Sequence, residues 1–216
     1  MKIAVCAPTY GRPDDFVHPT NVDAIAYELG GMPAFVGGTS PHDRSRGMIQ
    51  ARAMKTDAEA FFWIDDDIRA TQEQCLSLVD SFIMRSSLTK TMTGIYVCRH
   101  LALRGLVALN VNFLPPNEGE INVEFGPSGG VHPVTSHGFG FCIVSRKCLE
   151  EMEAPRCEYE PGVPAKAWWI PEVVEGFHLG EDRSFTWRVN TQFNPKFYTM
   201  LADTRVCVEH AGWEVT

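Results

Sequence analysis

The sequence predicts an α/β fold: one domain with a mostly parallel central sheet in its first half and a more irregular second half. Three observations predict it. Short apolar runs, "KIAVCAP", "PAFVGG" and "FFWI", alternate with stretches of helical spacing through residues 1–104. From residue 105 onward, short strand-like runs are separated by Pro- and Gly-rich loops. The 216 residues, 44% apolar and 21% charged, suit a single large domain with one sizeable core, and no linker or repeat divides it.

The elements follow in order. "KIAVCAPTYGRP" reads as a buried first strand running into a tight loop at Pro8, Gly11 and Pro13. A helix is expected through "DDFVHPTNVDAIAYELGG", interrupted near Pro19 and closed by Gly30 and Gly31. "PAFVGG" is a short second strand. "HDRSRGMIQARAMKTDAEA" has helical spacing at Met48, Ile49, Ala53 and Met54 and leads into the "FFWI" strand. An amphipathic helix then covers "TQEQCLSLVDSFIMRSS", and "TMTGIYVC" is a fourth strand. Beyond it, "LVALNVNFL", "INVEF" and "GFCIVS" read as strands, with helices near 145–153 and 181–190. Strands alternating with helices place ligand-binding loops at the carboxyl ends of parallel strands.

Composition narrows the function classes. The longest apolar runs are far too short to span a bilayer, and the first residues lack a signal-peptide core, so a cytoplasmic protein is expected. Seven cysteines, none in Cys-x-x-Cys spacing, read as reduced core thiols and not as a zinc or redox motif. A net charge of −8 argues against a dedicated nucleic-acid coat, which needs clustered Lys and Arg.

The most informative stretch is "FFWIDDDIRA", where an apolar strand ends in Asp65, Asp66 and Asp67. One Asp at a strand-to-helix junction serves as a helix cap. Three adjacent carboxylates repel one another unless a cation or donors compensate, and hard oxygen ligands suit Mg²⁺ or Mn²⁺ on nucleotide phosphates.

Strand-Asp-Asp-Asp resembles the Asp-x-Asp motif of the nucleotide-sugar glycosyltransferases of the GT-A fold, particularly the family-2-like branch. Four other stretches are similar to that family in the same order. "CAPTYGRP" resembles its first-strand signature, with Gly11 where Asn is usual, and "SRGMIQARAM" resembles its Arg-Asn helix start, with Gly47 in place of Asn. "GEDRSFTWRV" resembles the Glu-Asp pair that carries the catalytic base, and "VEHAG" the His-x-Gly that completes the metal shell. "HGFGFCIVSRKCLEEM" further resembles the Gly-rich strand that floors the acceptor site, although its glycines equally suit close backbone packing.

The resemblance implies a single Rossmann-like GT-A domain over 1–216, with 1–104 binding the nucleotide sugar and 105–216 the acceptor. It implies a metal held by Asp67 and His210, with Asp65 on the metal or on the donor's ribose or sugar and Asp66 acting indirectly. Pro8, Thr9, Tyr10, Arg12 and Arg46 would line the nucleotide pocket, the arginines toward phosphate or base edge. Asp182 would be the base, with Glu181 beside it. On the acceptor side, Arg99, His137 and Gly138 would flank the site, and one of Trp168 and Trp169 would stack on a sugar or base while the other joins the core.

The expected activity is transfer of a sugar, from a UDP-sugar first among nucleoside diphosphate donors, to an acceptor hydroxyl, with inversion and with Mn²⁺ or Mg²⁺. The acceptor is expected to be a saccharide or other soluble hydroxyl. The alternative is a hydroxymethylated base of DNA, for which Arg99, His100, Arg104, Arg146, Lys147 and Arg183 would have to converge. A nucleotidyltransferase and a silent nucleotide-sugar-binding module are the rival classes. The first lacks a Gly-rich phosphate loop here, and the second would not need Asp182.

Overall fold

In the computed structural model, which describes residues 1–9, 18–30, 33–37, 42–98, 108–113, 123–193 and 199–210, the chain opens with β1 (Ile3–Pro8), buried at all six positions. Helix α1 (Val22–Glu28) follows, capped by the Asn21 side chain, then β2 (Phe35–Gly37) and α2 (His42–Ala53). Strand β3 (Ala60–Ile64) is the "FFWI" segment and is wholly buried. A two-residue strand β4 (Ile68–Arg69) lies just beyond the Asp trio, before α3 (Gln72–Ile83) and β5 (Thr91–Ile95). Helix α3 starts at a capping box: Thr71 Oγ1 accepts from Gln74 N–H, and Gln74 Oε1 accepts from Thr71 N–H.

The second half supplies β6 (Val111–Phe113), β7 (Val131–His137), β8 (Phe141–Ser145) and α4 (Arg146–Glu151). Two hairpins follow, β9 (Arg156–Glu160) with β10 (Val163–Lys166), and β11 (Glu172–Val174) with β12 (Phe177–Leu179). Helix α5 (Glu181–Gln192), β13 (Met200–Cys207) and β14 (Glu209–His210) complete the described chain.

Eight strands form one sheet in the order β2-β1-β3-β8-β5-β13-β7-β6. The pairs β1/β2, β1/β3 and β5/β13 are parallel, while β7 and β8 run against their neighbours. The sheet is therefore parallel through β2-β1-β3 and mixed beyond it, with the parallel pair β5/β13 set between the reversed strands β8 and β7, and the whole is a single Rossmann-like α/β domain.

Alternation along β3 divides the core between the two faces. Phe61 and Trp63 join Trp169, Phe139 and Phe185 on one side, and Phe62 and Ile64 join Val5, Ile25, Leu78, Phe82 and Phe141 on the other. The unanticipated elements are those with weak apolar alternation. Strand β7 contains Pro133 and is mostly half-buried, and the β9–β10 hairpin reads as polar, "RCEYEPGVPAK". Conversely, the expected "INVEF" strand is absent at residues 123–125, which run irregularly into a 3-10 turn at Gly126–Ser128.

The arrangement fixes where chemistry can occur. Strands β1, β3, β5 and β13 run the same way, and the reversed β8 begins at their carboxyl ends, with Phe141 paired to Ile64. Asp65, Tyr96, the Gly138–Gly140 segment and His210 therefore meet along one edge.

Candidate active site

The three aspartates face three different partners. A turn in which Ile68 N–H donates to Asp65 C=O (3.1 Å) separates them. Asp65 Oδ2 accepts from Arg46 Nη2 at 2.8 Å, and Asp65 N–H donates to Gly140 C=O at 2.8 Å. Arg46, only 2% exposed, lies with its guanidinium 5.5 Å from the Trp63 ring and 5.7 Å from Trp169, and Nη1 reaches Phe139 C=O at 3.4 Å. Arg46 therefore faces a carboxylate and two indoles. Asp65 Oδ2 thus pairs with a buried cation.

Asp66 is buried, and its charge reaches the His18 ring. Burial lowers the His18 pKa against the opposing pull of its backbone bonds and of Asp66. His18 Nδ1 accepts from Thr20 N–H (3.1 Å), leaving Nε2 facing Ile64 C=O at 3.3 Å. Thr20 Oγ1 donates to Ile68 C=O (2.8 Å) and accepts from Ala70 N–H (3.0 Å), so residues 18–20 strap the acidic turn from one side.

Asp67 meets His210. Strand β14 pairs antiparallel with β4, placing His210 opposite Ile68, and this carries Nε2 to 3.1 Å from Asp67 Oδ2. His210 Nδ1–H donates to Val97 C=O at 2.7 Å, which fixes the ring and points Nε2 at the carboxylate. Burial opposes an imidazolium there, but the bond to Asp67 and its charge outweigh burial, so the His210 pKa is raised.

The same geometry fits a divalent ion. Two adjacent ligands of an octahedral ion, each at about 2.1 Å, lie about 3.0 Å apart. Among the described residues no group of three His, Cys, Asp or Glu side chains is placed to hold a metal. A divalent ion here would be held by Asp67 and His210 and would supply positive charge beside the acidic turn.

Asp182 stands on the first turn of α5, after Glu181. Its Oδ2 accepts from Phe139 N–H at 3.1 Å, and its buried Oδ1 has no hydrogen-bond partner among the described residues. Phe139 sits in the middle of Gly138–Gly140, so one short segment bonds both Asp182 and Asp65.

Other expected residues fall elsewhere. Pro8 ends β1 opposite Gly37, and Thr9 N–H donates to Gly37 C=O at 3.3 Å. Tyr10, Arg12 and Arg99 lie outside the described residues. His137 is buried, with Nδ1–H donating to Gly138 C=O (2.9 Å) and Nε2 accepting from Thr91 Oγ1 (2.7 Å); it is a core histidine and not an acceptor contact. Both tryptophans belong to the core, contrary to the expectation of one stacking indole. Trp168 Nε1–H donates to Leu149 C=O, and Trp169, fully buried, stacks on Phe185 at 4.6 Å. Gly47 lies under the Tyr159 ring, which fills the space where any side chain, Asn included, would begin.

Tyr96 was not anticipated as a site residue. It directly follows β5 (Thr91–Ile95), as Asp65 directly follows β3 (Ala60–Ile64), inside the stretch that the sequence reads as a fourth strand. A separate groove of about 480 Å³ between α3 and the end of β13, lined by residues including Glu73, Asp80, Asp203 and Arg205, contains none of the motif residues.

Fold and site define a single Rossmann-like α/β domain with an acidic, histidine-containing cluster at its strand ends. No family model matches the chain, and none of the curated proteins does. Among solved structures the chain is similar to A197 from STIV, with 14% identity and a TM-score of 0.57 over 97% of this chain and 85% of that one. It also matches S. aureus TarS 1-349 at 11% identity and a TM-score of 0.46, covering 97% of this chain and 60% of that one. The likeness to A197 is one of fold, and the match to TarS carries nothing further.

Proposed function

We propose that this chain is a metal-dependent glycosyltransferase that moves a sugar from a nucleoside diphosphate sugar, a UDP-sugar first, to an acceptor hydroxyl with inversion. The observation that carries the proposal is the meeting of Asp67 and His210, 143 residues apart, on the edge that also holds Asp182. A bound Mn²⁺ or Mg²⁺ would neutralise charge building on the departing diphosphate.

The residues divide the remaining work. Asp67 and His210 hold the ion. Asp65, fixed through Oδ2 by Arg46, presents an oriented carboxylate to the donor's ribose or sugar. Asp182 is held through Oδ2 by Phe139 N–H, and its Oδ1 is a buried acceptor lacking a donor. Leaving such an oxygen unpaired costs about 1–3 kcal/mol, which an acceptor hydroxyl would relieve. The acceptor proton passes to Asp182 as its oxygen bonds to the anomeric carbon. The carbon–oxygen bond to the diphosphate breaks, and that electron pair leaves with the phosphate.

For the acceptor, an uncharged hydroxyl is favoured over DNA. Residues 170–182, leading into the base, contain Glu172, Glu175, Glu181 and Asp182 and no Lys or Arg. Arg146 is bonded to backbone carbonyls of Ala58 and Thr56, and α4 starts beside Ala60, at the opposite end of β3 from Asp65. Arg146 and Lys147 therefore do not converge on Asp182, Arg99, His100 and Arg104 lie outside the described residues, and of that set Arg183, which directly follows Asp182 on α5, is the one described residue beside the base. Among the described residues no helix is long and apolar enough to cross a membrane.

A panel of nucleotide sugars, screened by thermal shift with Mn²⁺, identifies the donor, and product analysis tests the reaction class. Free nucleoside diphosphate supports glycosyl transfer, pyrophosphate means nucleotidyl transfer, and neither product means a binding module. A salt series with hydroxymethylated DNA tests the acceptor: steep loss of binding with salt would restore the DNA reading.

A further inference from the structure

The segment Gly138-Phe139-Gly140 joins the two halves of the proposed reaction. Phe139 N–H donates to Asp182 Oδ2, on the acceptor side, and Gly140 C=O accepts from Asp65 N–H, on the donor side. Its remaining bonds are specific as well. Gly138 N–H donates to Asn110 C=O at 2.7 Å, Gly138 C=O accepts from His137, and Phe139 C=O accepts from Arg46. Gly140 N–H donates to the Tyr96 hydroxyl oxygen at 3.0 Å.

That hydroxyl also explains both glycines. A methyl group on Gly138 would overlap the Tyr96 oxygen, and one on Gly140 would sit 2.9 Å from it and 3.4 Å from Asp65 Oδ2. The phenol thus occupies the space that side chains at 138 and 140 would need, which is a reason for "HGFGF" that needs no ligand. The Tyr96 ring in turn packs edge-on to His210, with centroids 5.0 Å apart. Its backbone is fixed too: Tyr96 N–H donates to Asn110 Oδ1 at 2.9 Å, and Asn110 Nδ2 donates to Thr93 Oγ1 and Gly94 C=O. Burial, followed by the charges of Asp182 and Asp65, keeps the phenol protonated.

We infer that Tyr96 is a positioning residue for the transfer reaction: its hydroxyl fixes the Gly138–Gly140 segment and thereby sets the spacing of Asp182 from Asp65, while its ring buttresses His210. This inference rests on the glycosyl-transfer reading. Tyr96 touches no reacting atom. It acts through the Phe139 N–H that holds the base, through the Gly140 backbone that meets Asp65, and through a metal-side imidazole. A displacement needs its base and donor aligned to within about 1 Å, and such misplacement costs on the order of 10²-fold.

The test has two arms, using the full chain. Tyr96→Phe removes only the hydroxyl, and its kcat should fall about 10- to 100-fold while KM for the donor changes less than about twofold. A raised donor KM with unchanged kcat would overturn the inference, because the hydroxyl would then serve donor binding and not alignment. The second arm is thermal and needs no activity. Gly138→Ala should lower Tm in the parent and lower it markedly less in a Tyr96→Phe background, where the overlapping oxygen is gone. Equal losses in both backgrounds would show that the hydroxyl does not occupy the position assigned to it. If Gly138→Ala does not fold, Gly140→Ala gives the same comparison with a smaller overlap. A parent chain that transfers no sugar from any donor would overturn the functional reading and the role of Tyr96 within it, whereas the thermal arm would still decide whether the hydroxyl holds the segment.

Discussion

His210 Nε2 lies 3.1 Å from Asp67 Oδ2, although 143 residues separate the two in the chain. The pairing of β14 with β4 produces this contact, and the Nδ1–H bond to Val97 leaves Nε2 as the nitrogen that faces the carboxylate. A pair so placed is either an ion pair with a protonated imidazole or two ligands of one cation.

These alternatives separate on adding metal. Mn²⁺ together with UDP should raise the Tm of the parent chain, and Asp67→Ala or His210→Ala should each remove most of that rise. Because imidazole is a softer ligand than carboxylate, Mn²⁺ should act at lower concentration than Mg²⁺. An undiminished rise in both variants would place the ion elsewhere.

Asp182→Asn keeps the size of the side chain and the bond from Phe139 N–H but cannot take a proton. Turnover should fall by about 10² to 10⁴ with donor affinity little changed, read from steady-state kinetics and donor titration. Turnover like the parent's would move the base to Glu181.

The Arg46–Asp65 pair should matter for stability as well as for the site. Arg46 is 2% exposed, so Arg46→Met leaves the partly buried Asp65 carboxylate without the guanidinium that bonds it. Breaking a largely buried pair on one side costs about 3 kcal/mol, measurable by denaturant unfolding. Replacing both, Arg46→Met with Asp65→Asn, should recover part of that loss while abolishing activity.

His137 predicts a particular pH dependence. Burial lowers its pKa from 6.5 to about 4, because an imidazolium between Thr91 and Gly138 would lose water without gaining a counter-charge. The unfolded chain binds a proton below pH 6.5 that the folded chain refuses until about pH 4, so stability from this group is complete above pH 6.5 and is lost as pH falls through that window. The full effect is about 3 kcal/mol. His18, also lowered by burial, adds the same sign, and His210, raised, opposes it. The difference between the parent and His137→Gln in unfolding free energy from pH 7 to pH 4.5 isolates the His137 contribution, and the variant should show the flatter profile.

Much of this architecture could be read from local pattern. The buried runs at 3–8 and 60–64, the amphipathic α3 and the acidic strand end are all written in spacing and composition. The expectation that Asp67 and His210 belong together comes from the resemblance of their motifs to a known family, and the β14–β4 pairing brings the two side chains into contact. What local pattern could not carry was direction. Strands β7 and β8 have no helix between them and run in the same direction with β5 and β13 between them in the sheet, and the short Gly138–Gly140 link that joins them reads in sequence like one strand continuing past a bulge. Orientation of side chains was likewise hidden. One of Trp168 and Trp169 is expected to stack on a ligand because exposed aromatics often do, yet both indoles are buried, and Arg46 pairs with Asp65 beside Trp63 and Trp169. The glycines at 138 and 140 were ambiguous from sequence because their explanation, the Tyr96 hydroxyl, lies more than forty residues away.

The most direct test of the account is the identity of the nucleotide released from a donor. The chain would be incubated with a panel of nucleoside diphosphate sugars, Mn²⁺ and a mixture of saccharide acceptors, and the nucleotides resolved by anion exchange. Metal-dependent appearance of free nucleoside diphosphate, lost with chelator, with Asp67→Ala and with Asp182→Asn, is the predicted result. Release of pyrophosphate, or nucleoside diphosphate production that persists undiminished in excess chelator, would contradict it.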